Sequence, residues 1–74
     1  MAKLPVLSAA QVVKAFETLD WSVTRQRGSH IIMVKEGEPA SLSVPDHREV
    51  AKGTLRSLIR QARISVEEFL AAAR

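Results

Sequence analysis

Apolar residues recur along this chain with two different periods, and the switches between them mark out its elements. Ala9, Val12, Val13, Phe16 and Leu19 fall within one arc at ~100° per residue, with Gln11, Lys14, Glu17 and Thr18 on the other side. The spacing predicts an amphipathic helix over residues 9–19. Ser8 followed three residues later by Gln11 reads as a capping box at its start, and Leu7 and Val12 sit where a hydrophobic staple would join them. From Trp21 the period drops to two: Trp21, Val23 and Arg25 alternate with Ser22, Thr24 and Gln26, a first strand in β-favouring residues. Gly28 interrupts it, and Ile31-Ile32-Met33-Val34 resumes as a second strand starting at or just after His30. Beyond the turn residues Gly37 and Pro39, Ala40, Leu42 and Val44 alternate with Ser41 and Ser43 and stop at Pro45, giving a third strand.

The helical period then returns. Leu55, Leu58, Ile59 and Ala62 follow the i, i+3, i+4, i+7 rule from about Gly53, and Ser65 with Glu68, flanked by Ile64 and Phe69, repeats the cap and staple for a short helix over residues 66–73. A three-strand meander has one face to bury, and helices with apolar stripes can cover it. The expected fold is a two-layer α+β sandwich, a helix, a three-stranded antiparallel meander, a helix and a short C-terminal helix, forming a single domain over residues 1–74.

Composition narrows the functional classes. A chain of 74 residues is too short for two cores, and its 46% hydrophobic content is too high for a disordered segment. The absence of cysteine excludes disulfides and thiolate metal sites, and together with the lack of any ~18-residue apolar run or signal-like N-terminus it predicts a cytoplasmic protein without a membrane segment. A net charge of +3 and a pI near 10.0 lean toward polyanionic partners.

Candidate chemistry concentrates in Arg25-Gln26-Arg27-Gly28-Ser29-His30, between the first two strands. Gly28 and Ser29 permit close backbone approach to an anion, and Arg25 and Arg27 can neutralise phosphate charge. Histidine's ordinary pKa lies near neutrality, so His30 can take and return a proton as an RNA 2′-hydroxyl attacks the adjacent phosphate. RNA carries its own nucleophile, so such a site calls for no metal and no cofactor. An average histidine at the start of a strand merely packs, and Ser29 is equally suited to a plain turn. His47, in Pro45-Asp46-His47-Arg48, reads first as a turn residue and second as an assisting group.

A second basic feature lies on the helix after the meander. Lys52, Arg56, Arg60 and Arg63, spaced four, four and three, project within ~80° of one another, with no acid at i+3 or i+4 within the stripe to pair with these charges. Such a stripe suits either solvent or the backbone of a nucleic acid, where phosphate contacts set affinity rather than sequence choice. Trp21 reads as core, and Glu36 and Glu38 as a solvated loop around Gly37. Two histidines and scattered carboxylates make no recognisable metal set.

Taken together, Gly28-Ser29-His30 at the head of a strand, Val44-Pro45-Asp46-His47, Lys52-Gly53-Thr54-Leu55-Arg56-Ser57-Leu58-Ile59 and Ile64-Ser65-Val66-Glu67-Glu68-Phe69 resemble the HicA family of small bacterial toxins. The resemblance runs from the first helix to Phe69. It implies a double-stranded-RNA-binding-domain-like fold, a metal-independent ribonuclease that cleaves messenger RNA, and neutralisation by a HicB-type antitoxin covering the active site. The free toxin is expected to be monomeric. The family's catalytic histidine corresponds to His30, its motif glycine to Gly28, and the histidine after the third strand's proline to His47. One position departs: family members usually carry glycine in the turn before Ile64-Ser65, where this chain has Arg63, and glycine there would suit a left-handed helix cap.

Two other classes compete with a ribonuclease. A non-catalytic RNA-binding module of the same fold would share the basic stripe but gives no reason for a histidine framed by Gly-Ser and arginines. A DNA-binding helix-turn-helix would need base-reading side chains on its second helix, where Val66-Glu67-Glu68-Phe69-Leu70-Ala71-Ala72-Ala73 offers acids and apolar groups.

Overall fold

A computed structural model describes residues 3–74, so the first two residues of the expected domain lie outside the described residues. The order of elements is α1 (Ala9–Thr18), β1 (Ser22–Arg27), β2 (His30–Val34), β3 (Leu42–Pro45), α2 (Lys52–Gln61) and α3 (Val66–Ala72). The three strands form one antiparallel sheet in the order β1-β2-β3, which makes β2 central. Helix α1 packs on β1, β3 and α3, and α2 on β3 and α3. Both layers of the expected sandwich are therefore present.

Met33, Leu42 and Val44 from the sheet meet Val12, Phe16, Leu55 and Phe69 from the helices in one core, all at 0% exposure. Both predicted capping boxes form, with Ser8 accepting from the Gln11 amide at 3.2 Å and Ser65 from that of Glu68 at 3.0 Å. Ala51 at the N-cap of helix α2 supplies no side-chain hydrogen bond, and a bridge between Leu7 and Val50 ties the preceding loop to the N-terminal segment.

Helices α1 and α2 end by the same backbone device. After α1 the Trp21 amide donates to the Phe16 carbonyl (3.0 Å) and the Asp20 amide to that of Glu17 (3.0 Å). After α2 the Ile64 amide donates to Ile59 (3.4 Å) and the Arg63 amide to Arg60 (3.0 Å). This is the Schellman pattern, which needs a left-handed residue at the position after the cap. Asp20 (φ 73°) and Arg63 (φ 62°) occupy it. Arg63 thus adopts the left-handed geometry that favours glycine.

Glu38 differs from its expected solvated state: its side chain is only 22% exposed and its Oε1 lies 3.9 Å from the Arg63 guanidinium, which is itself 72% exposed. At that exposure the pair contributes little. Replacing Arg63 with glycine removes a left-handed penalty of about 1–2 kcal/mol, partly offset by glycine's larger unfolded-state entropy of about 0.5–1 kcal/mol. Arg63→Gly should therefore raise the thermal midpoint by roughly 2–8 °C, given about 4–8 °C per kcal/mol for a domain this small. A lower midpoint would mean that the Glu38 contact outweighs the backbone strain.

The first strand departs from its predicted pattern. Every residue of β1 is exposed, Val23 at 45%, so the alternation of Trp21, Val23 and Arg25 does not describe one buried face. Trp21 is core, at 2% exposure, but lies just before the strand. The physical reason is a β-bulge between Val23 and Arg25: Val23 pairs with Met33, and Arg25 with Ile32, leaving Thr24 as an extra residue.

Candidate active site and nucleic-acid interface

The bulge decides which way the basic residues of β1 face. Cross-strand partners in an antiparallel pair share a face. Met33 and its partners Leu42 and Val23 define the helix-packed side, as do Ile31 with Val44 and Gln26. His30, Ile32, Arg25, Arg27 and Ser43 then share the opposite, open side. Without the additional residue, Arg25 and Arg27 would follow Val23 toward the helices. Thr24 thus re-aims two guanidinium groups onto the face that carries His30.

Arg27 pairs directly with His30, closing a two-residue loop of Gly28 and Ser29. Gly28 has φ 57° while Ser29 has no positive φ, the pattern of a type II′ hairpin turn with glycine first. His30 therefore opens the central strand, with Arg27 on one side and buried Pro45 on the other. Arg25, Arg27, Gly28, Ser29 and His30 are all exposed. The only ion pair among the described residues is that of Arg63 with Glu38, so both β1 arginines are without a carboxylate partner. The arrangement can present two positive charges and an imidazole to one phosphodiester.

The β3–α2 loop closes the same end of the sheet. The Asp46 amide donates to the Ser29 carbonyl at 2.7 Å, one step beyond the His30–Pro45 pair, and the His47 amide donates to the Pro45 carbonyl at 2.9 Å. The His47 carbonyl accepts from the first amide of α1, that of Ala9, at 3.0 Å. His47 is thereby fixed through its backbone beside the hairpin, its side chain exposed. Two residues to which the sequence alone assigned no functional role complete this junction: Gln26 Nε2 donates to Asp46 Oδ2 at 3.0 Å and to the Gly28 carbonyl at 3.2 Å. Nothing in their spacing announces the contact, because they are 20 positions apart.

Lys52 follows this loop, and the helical rise places Arg56 about 6 Å and Arg60 about 12 Å further along α2. All three are exposed. Arg56 and Arg60 flank a shallow groove floored by Ile59, Ile64 and Val66. Arg63 does not continue the stripe by helical geometry, since α2 ends at Gln61 and Arg63 turns into the left-handed region toward Glu38. Among the described residues no three or more of His, Cys, Asp and Glu cluster as a metal site would require.

A family model described as the HicA toxin of bacterial toxin–antitoxin systems matches residues 9–64, from the first residue of α1 to the Schellman turn after α2. The chain belongs to the HicA toxin family. The match contains the whole sheet and every candidate residue named above. It makes the protein a toxin-type component whose family generally cleaves mRNA, with an antitoxin as counterpart. No curated protein and no solved structure matches the chain. The matched segment stops before α3, yet Phe69 of α3 is fully buried against Phe16, so this HicA-family core includes residues beyond it. Among the described residues no helix is long and apolar enough to cross a membrane.

Proposed function

We propose that the chain is an endoribonuclease toxin that cuts messenger RNA in the cytoplasm without a metal, with His30 as general acid and base. The observation that carries this reading is the shared open face of Arg25, Arg27 and His30, created by the bulge in a HicA-family chain. His30 accepts the 2′-hydroxyl proton as the 2′ oxygen bonds to the adjacent phosphorus. The bond from phosphorus to the 5′ oxygen breaks, and that oxygen takes a proton from the imidazolium or from water. A 2′,3′-cyclic phosphate results, which water opens to a 3′-phosphate. Arg25 and Arg27 stabilise the charge that develops on the phosphoryl oxygens. Gly28 and Ser29 let the backbone approach the phosphate, and His47 assists from the neighbouring loop.

Lys52, Arg56 and Arg60 hold the RNA backbone leading away from the cut, with Arg63 a weaker contributor because Glu38 faces it. A HicB-type antitoxin neutralises the monomeric toxin by covering this open face. The test is cleavage of a defined single-stranded RNA by the purified chain in excess chelator. We expect full activity, and fragments ending in a 2′,3′-cyclic or 3′-phosphate opposite a 5′-hydroxyl. Fragments bearing a 5′-phosphate, or loss of cleavage in chelator, would replace transesterification with a metal-assisted route. Binding without any cleavage would reduce the protein to an RNA-binding module.

A further inference from the structure

We propose that Gln26 and Asp46 are positioning residues for His30, acting as a clamp on the hairpin tip; this rests on the assignment of His30 as the acid–base group. Gln26 Nε2 reaches two oxygens, Asp46 Oδ2 at 3.0 Å and the Gly28 carbonyl at 3.2 Å. Both are acceptors, so only the NH2 end of the amide can serve them, which fixes its orientation. Asp46 in turn donates its amide to the Ser29 carbonyl at 2.7 Å. The two residues that precede His30 are each held through their carbonyl groups, Gly28 from β1 and Ser29 from the β3–α2 loop.

The clamp lies on the other side of the sheet from the candidate substrate surface. Gln26 pairs with Ile31 and shares its helix-facing side, whereas Arg25, Arg27 and His30 share the open one. Gln26 and Asp46 therefore act on His30 through the backbone of the turn and not by touching RNA. The tip needs such support, because β1 is an edge strand, exposed along its whole length and interrupted by a bulge. The same contact spans two segments that carry the two histidines, so it sets His30 and the His47 loop relative to each other. A displacement of about 1 Å at a reacting group can cost about a hundredfold in rate.

The test compares Gln26→Glu, Asp46→Asn, the double variant and His30→Ala in steady-state cleavage of a defined single-stranded RNA oligonucleotide, with thermal melts of each. Gln26→Glu sets two carboxylates against each other and removes the Gly28 donor. It should lower kcat by about ten- to a hundredfold while KM stays within about twofold. Asp46→Asn alone keeps an acceptor for Gln26 and should remain near wild type. In the double variant the introduced asparagine amide can donate to the introduced carboxylate, and part of the lost kcat should return. A residue that only stabilised the fold would move the melt without splitting kcat from KM, and the exchanged pair would not rescue the rate. Wild-type kcat in Gln26→Glu, or a double variant no better than it, overturns the clamp while an inactive His30→Ala leaves the site reading standing. Cleavage that survives His30→Ala overturns both. Should Gln26→Glu fail to fold, Gln26→Ala replaces it without the exchange test: a kcat lowered at unchanged KM supports the clamp, and a wild-type kcat overturns it.

Discussion

His30→Ala should leave the protein folded and reduce RNA cleavage by about 10²–10⁴-fold, the usual contribution of a positioned acid–base group. The two halves of this expectation come from different features of the same residue. His30 holds its place by backbone pairing to Arg27 and Pro45, and its exposed side chain belongs to no part of the buried core. Alanine keeps the ladder and forfeits only strand preference, worth less than ~1 kcal/mol. The imidazole, in contrast, is the proposed proton-transfer group, on the open face that it shares with Arg25 and Arg27. RNA affinity should therefore stay close to wild type, because the guanidinium groups proposed to meet phosphate are retained. Comparison of kcat, KM and direct binding for wild type, His30→Ala and His47→Ala checks the assignment. If His47→Ala loses activity and His30→Ala keeps it, the acid–base role moves to the loop histidine.

The elements were legible in the sequence because their signals are local. The paired Ser8/Gln11 and Ser65/Glu68 caps need only the next turn of helix to form, and both do. The site's central motif was legible for a related reason: Gly28 supplies the positive φ of a two-residue turn, which places His30 at the head of the next strand whatever lies around it. Arg63 was flagged by its departure from the expected glycine, and its φ of 62° gives that departure a physical meaning.

What was not legible depends on register and on distant neighbours. A period-two reading of Trp21, Val23 and Arg25 puts all three on one face, and a single extra residue at Thr24 reverses the face for everything after it. Glu38 looked solvated because its neighbour Arg63 lies beyond the next strand and helix, and the Gln26–Asp46 contact is equally remote in sequence. The arginines and the histidine thus stand in one segment of the sequence, but only the register of the strands shows that they point the same way.

Phe16→Ala should unfold the domain at ordinary temperature. Phe16 is fully buried at the meeting point of α1, the start of the sheet layer and α3: its ring centroid lies 5.2 Å from that of Phe69, tilted by 54°, and 6.4 Å from that of Trp21, edge-on at 72°. Its carbonyl also accepts the Trp21 amide in the turn after α1, so side chain and backbone fix the same junction. Removing a buried phenylalanine costs about 3–5 kcal/mol, through lost transfer energy and the cavity left behind. A single core in a chain of this size rarely supplies more than about 3–5 kcal/mol in total. The substitution therefore consumes most or all of the folding stability, and cleavage should disappear with it although no site residue has changed. Val34→Thr, at a strand end 43% exposed, should shift stability by less than about 0.5 kcal/mol and serves as the control. Far-UV circular dichroism during urea titration distinguishes the two. A cooperative transition for Phe16→Ala near the wild-type midpoint would mean that Trp21 and Phe69 close over the gap, and that the junction of α1 with α3 is more plastic than its packing implies.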